Sequence, residues 1–150
     1  MTIETMLVAI GPNDRERVER LAEKTVDIAG PTGADVVLAR VFSDDGYDEV
    51  KSALNFNDPT TDEVAGRDAT VRDFGAVLDE ADVTWSVRGR VGDPGDEVVA
   101  MADAVDADVV VVGGRDRSPT GKAVFGSVGQ AILLSAPCPV LYVGSGTDSE

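Results

Sequence analysis

Asp108-Val-Val-Val-Val-Gly-Gly-Arg-Asp116, with Arg117-Ser-Pro-Thr-Gly-Lys-Ala-Val-Phe125 and Gly126-Ser127-Val-Gly-Gln-Ala-Ile-Leu-Leu134 after it, is the stretch on which the fold turns. The valine run 109–112 has no polar alternation, and a strand without alternation is covered on both faces. A glycine-bearing loop follows, and Gly126-Ser127 opens an apolar helical run. That order sets the helix's unpaired N–H groups and positive dipole beside the strand's carboxyl end. Phosphate or another anion is favoured there.

The rest of the chain repeats the alternation. Residues 6–10 form an apolar strand ended by Gly11-Pro12-Asn13-Asp14, a turn and helix cap. Residues 14–29 carry Val18, Leu21, Ala22, Thr25, Val26, Ile28 and Ala29 at helical spacing, and Gly30-Pro31-Thr32-Gly33 is expected to stop that helix. A second strand spans 35–42. Residues 43–60 are polar and turn-rich, an exposed connection with a helical turn around 47–54. Residues 61–80 carry Val64, Ala65, Val71, Phe74, Val77 and Leu78 as one amphipathic helix. Residues 83–88 alternate as an edge strand would. Asp93-Pro94 caps a helix that buries Val98, Val99, Met101, Ala102 and Val105. After the 108–112 strand and the 126–135 helix, residues 139–144 close as a fifth strand, and the tail 145–150 is expected to be mobile.

Apolar strands alternating with amphipathic helices predict a single α/β domain over residues 1–150. Its sheet is parallel, doubly wound and five-stranded, with helices on both faces. Right-handed crossovers favour the order 3-2-1-4-5. Ligands of such sheets bind at the carboxyl ends of the strands where the order reverses, here between strands 1 and 4. The loops at that point are 11–14 and 113–126.

Charge narrows the partners. Lysine and arginine number 13 against 28 acidic residues, a net charge of −15. Such an excess repels nucleic acid and anionic lipid. With lysine scarce and aspartate above glutamate, the pattern reads as adaptation to a salt-rich cytoplasm, where screening is strong. No apolar run reaches about 18 residues, so no membrane span is expected. Residues 1–6 lack the pattern of a secretory leader. Cys138 is the sole cysteine and the chain has no histidine, so the thiol reads as structural rather than nucleophilic.

Arg115, Arg117 and Lys122 concentrate positive charge within the 113–127 segment. Either this loop binds an anion, or its cations are solvated or paired with aspartates or a second subunit. It is not a P-loop: Gly114 stands too far before Gly121, and Ala123 occupies the place of the magnesium-binding Ser or Thr. No residue set resembles an activated nucleophile, and no acidic pair closes the first strand as a phosphoryl receiver needs. An enzyme is not expected, although slow ATP hydrolysis could accompany nucleotide binding, and no metal-ligand cluster is read.

Gly113-x2-Asp116-x9-Gly126-Ser127, followed by Cys138-Pro139-Val140-Leu141-Tyr142-Val143, resembles the Gly-x2-Gly-x9-Gly-Ser and last-strand pattern of the universal stress protein family. The likeness runs over essentially the full length. It implies a stress-response regulatory module in which ATP's phosphates, with Mg²⁺ where it accompanies them, lie on the glycine loop and the Gly-Ser helix start. By resemblance, Gly113, Gly126, Ser127, Val128 and Gly129 fall on the phosphate side, joined by Arg115 and Asp116, while Ile10, Gly11 and Val41 fall on the nucleoside side. Two departures matter. Asp116 replaces the second loop glycine and sets a carboxylate near polyphosphate. Gly11 replaces the aspartate usual at the end of strand one in ATP-binding members. The alternative is a nucleotide-free member that acts through protein contacts. The resemblance also implies a homodimer paired through residues 139–144, with a client protein that the sequence does not name.

Overall fold

The computed structural model describes residues 3–54, 60–113 and 127–144, excepting the side chains of 12, 13, 16, 50–54 and 127. The tail 145–150 lies outside them. Strand β1 (Thr5–Ile10) sits at the centre and pairs in parallel with β2 (Asp35–Phe42) and β4 (Val109–Gly113). Strand β3 (Trp85–Val91) adds beyond β2, and β5 (Val140–Val143) beyond β4. The order is β3-β2-β1-β4-β5, as the alternation predicted.

The unbroken apolar strands follow from two separate cores. On one face Met6, Val8, Ile10, Val36 and Leu38 pack with Leu21 of α1 (Val18–Thr32) and with Phe74 and Leu78 of α4 (Ala69–Glu80). On the other, Leu7, Val37, Val41, Val110 and Val112 meet Val98 and Met101 of α5 (Pro94–Ala104) and Ile132 of α6 (Ser127–Ser135). Successive strand residues point to opposite faces, so both parities must be apolar.

Two expectations are corrected. Residues 43–60 hold more than a turn: α2 spans Asp44–Leu54. Residues 61–80 form two helices, because Asp68 leaves the helical conformation and accepts N–H bonds from Thr70 and Val71 as the cap of α4. The preceding α3 (Thr61–Gly66) has its own Thr60 cap. Helix α1 ends within the expected Gly30–Gly33 stop, at Gly33, whose φ of 73° is left-handed, and it carries Gly30 and Pro31 in its final turn.

Two polar pins fix the sheet. Asp108 Oδ2 accepts the N–H groups of Glu4 and Thr5 at 2.8 and 3.0 Å, tying β1 to β4 at their entrance. Those backbone donors, Glu4 foremost, hold the Asp108 carboxyl below the ordinary aspartate value. Asp62 Oδ1 of α3 accepts the Gly89 N–H at 2.7 Å and so satisfies a donor on edge strand β3.

Candidate functional site

The chain leaves β1 through Gly11, whose extended backbone (φ −108°, ψ 171°) starts a 3-10 turn over Pro12–Arg17. Asp14 folds back across that turn. Its Oδ2 accepts the Gly11 N–H at 2.8 Å, and its Oδ1 takes the Arg17 Nε–H at 2.8 Å. Both side chains are largely withdrawn from solvent, at 8% exposure for Asp14 and 17% for Arg17.

The carboxyl end of β4 arrives at the same place. A Cβ built on Gly113 would stand 3.1 Å from Asp14 Oδ1 and 3.2 Å from Arg17 Nε. Glycine lets the ion pair close against the strand end, and a larger residue would press on it. The 11–14 turn and the start of the 113–127 segment therefore meet at the strand reversal, as the topology predicted.

The remaining candidates are placed as follows. Ile10 and Val41 are buried on opposite faces of the sheet, Ile10 in the α1/α4 core and Val41 in the α5/α6 core. Their side chains are packing groups, which leaves the backbone for any ligand. The Val41 carbonyl accepts from Arg40 Nη1 at 2.7 Å, while the Arg40 guanidinium lies 4.4 Å above the Phe42 ring and 3.4 Å from Asp68 Oδ1. Ser127 begins α6, Val128 is exposed on it, and a Cβ on Gly129 would meet nothing within 4 Å. Arg115, Asp116 and Gly126 fall outside the described residues.

Helix α6 is positioned by α5. Asp93 caps α5 by accepting the Asp96 N–H at 3.0 Å, and a Cβ on Gly95 would come within 2.9 Å of Ala131 Cβ. The Gly92–Gly95 turn thus works as a helix start and a packing seat. Cys138 is half-buried, with its thiol pKa raised by desolvation and then by the Asp108 charge. A raised pKa keeps it protonated and a poor nucleophile.

The sequence does not single out Asp14 and Arg17, because the turn reads there as a cap alone. The available signal was a carboxylate three residues past Gly11 and a cation three residues later.

An open doubly wound α/β domain with a polar mouth at its strand reversal is the class that these features define. Within it, the chain belongs to the universal stress protein family, whose sequence profile matches residues 2–144. A universal stress protein of Mycolicibacterium smegmatis is 41% identical over 78 residues, 51% of this chain and 60% of the relative. The chain thus spans about 60% of that relative's length. One from Methanothermobacter thermautotrophicus is 28% identical over 94% of this chain and 97% of its own. Among solved structures, a universal stress protein from Archaeoglobus fulgidus superposes with a TM-score of 0.71 at 25% identity, covering 95% of this chain and 99% of that one. A universal stress protein solved in complex with cAMP has a TM-score of 0.68 at 22% identity, covering 97% and 100%. An Archaeoglobus fulgidus universal stress protein solved with dAMP has a TM-score of 0.64 at 21% identity, covering 94% and 97%. Among the described residues, no helix is long and apolar enough to cross a membrane.

Proposed function

We propose that this protein is a regulatory module that binds ATP or a related adenine nucleotide at the mouth between β1 and β4. The observation that carries this reading is the convergence of Gly113 with the Gly11–Asp14 turn at the strand reversal. The family and the cAMP- and dAMP-bound relatives support it. Phosphates are assigned to Gly113, Arg115, Gly126, Ser127, Val128 and Gly129, with Asp116 the group they must avoid or bridge through Mg²⁺. The nucleoside is assigned to the backbone of Ile10, Gly11 and Val41. The role is binding rather than catalysis, since no histidine exists in the chain and the Cys138 thiol is held protonated. Calorimetric titration with ATP at molar salt tests it. The parent should bind, and Gly126→Asp should lose at least about tenfold in affinity, which is about 1.4 kcal/mol. Equal or absent binding in both proteins removes the idea.

A second reading, a dimer acting through protein contacts, has its own observation. Asp62 and α3 cover edge strand β3 at Gly89, while β5 ends the sheet on the other side with Val140, Leu141 and Tyr142 half-buried. An apolar edge strand favours pairing with another chain. We assign the dimer contact to residues 139–144. Light scattering at molar salt should give twice the 15.6 kDa chain mass, and a clean monomer removes this reading.

A further inference from the structure

The mouth between β1 and β4 already contains an anion. Asp14 is 6% exposed overall, and its two carboxylate oxygens take the Gly11 N–H and the Arg17 Nε–H. Arg17 is the cation that stands beside Gly113, 3.2 Å from where a Cβ there would lie. Both charges belong to one tight turn, so the pair forms with little ordering cost.

A carboxylate and a phosphate are both oxyanions, and they compete for the same guanidinium fork. An uncompensated carboxylate at this spot would also repel an incoming polyphosphate, strongly so where solvent screening is poor. The Gly11 N–H is a donor at the strand end that the same carboxylate occupies. Asp14 thus covers the cation that would attract a phosphate and, beside it, a donor on the nucleoside side of the mouth.

We propose that Asp14 is a built-in competitor for phosphate, holding Arg17 in the bound-anion position until a polyphosphate group displaces it. Arg17 is then the specificity-determining cation of the mouth, and the Asp14–Arg17 pair sets how tightly polyphosphate is held. The inference rests on reading this mouth as a phosphate site, and it does not depend on adenine. Its ligand class is the polyphosphate group itself.

The test is calorimetric titration with inorganic triphosphate, and separately with ATP, at one fixed ionic strength. The proteins are the full chain, Asp14→Asn, Arg17→Gln and the double variant. Asp14→Asn should bind triphosphate about tenfold tighter than the parent, because Arg17 is released and a charge is removed. Arg17→Gln should bind about tenfold weaker or undetectably. The double variant should gain less over Arg17→Gln than Asp14→Asn gains over the parent, since the released guanidinium supplies part of that gain and removal of the negative charge supplies the rest. Equal binding by parent and Asp14→Asn overturns the proposal, as does an Asp14→Asn gain that is just as large in the Arg17→Gln background, or no triphosphate binding by any protein. Should triphosphate follow the expected pattern while ATP binds nothing, the nucleotide reading fails and this one stands. Should ATP bind parent and Asp14→Asn alike, the reverse holds. Asp14→Ser keeps an acceptor for Gly11, and its circular dichroism melt and titration replace those of Asp14→Asn if the latter does not fold.

Discussion

Truncating Phe74 to alanine is expected to lower the unfolding free energy by about 3–5 kcal/mol. Phe74 is fully buried on α4 and packs in the core shared with Met6, Val36, Leu38 and Leu78. The loss has two parts, the transfer free energy of the ring and the cavity left behind. Neighbouring backbone cannot easily fill that cavity, because the strands below are tied by parallel ladders and α4 is anchored by its Asp68 cap. For a domain of this size, each kcal/mol moves the melting temperature by about 2–4 °C, so the midpoint should fall by about 6–20 °C. Chemical denaturation in molar salt measures the effect. Leu134→Ala is the control: at 76% exposure it should stay within about 0.5 kcal/mol of the parent. A Phe74→Ala loss under about 1 kcal/mol would mean that α4 does not seat this ring on the sheet.

Gly89→Ala is expected to cost about 1–3 kcal/mol, although the change adds only a methyl group. The added Cβ would run into the Thr61 carbonyl and stand 3.0 Å from Ala65 Cβ. The obstacle is helix backbone, which cannot rotate aside as a side chain can. Relief requires α3 to lift from β3, and lifting breaks the bond from Gly89 N–H to Asp62 Oδ1. That bond satisfies a donor on an edge strand, so its loss should also raise self-association. The denaturation midpoint and light scattering should therefore change together. An unchanged midpoint would show that α3 does not close on this edge.

Much of this fold is legible from residue order. The valines of β4 and the runs 6–10 and 35–42 predict strands covered on both faces, and the two cores bear that out. The order β3-β2-β1-β4-β5 follows from right-handed crossovers once the alternation is read. Capping was less legible. Asp68 interrupts residues 61–80 because its carboxylate competes with the helix for backbone N–H groups, a choice that apolar spacing does not record. The stop read at Gly30–Gly33 is made by its last residue, Gly33, in the left-handed conformation, so α1 carries Gly30 and Pro31 in its final turn.

The site divides in the same way. Gly11 and Gly113 were legible as neighbours because topology brings the ends of strands 1 and 4 together. Gly11, where the family resemblance implies an aspartate, reads in one dimension as a mouth without that carboxylate. In three dimensions Asp14 returns one, since a single tight turn carries its side chain back to the Gly11 N–H.

By itself, then, the sequence determined the α/β class, the strand order, the family likeness and which two turns meet at the strand reversal. These depend on apolar periodicity and chain connectivity, which are properties of residue order. Only the tertiary structure decided that Asp14 and Arg17 close on Gly113, and that Ile10 and Val41 face opposite cores. Those outcomes depend on which side chains meet across elements distant in the chain. Burial and ångström-scale distances settle them, and no spacing along a single strand or helix encodes either.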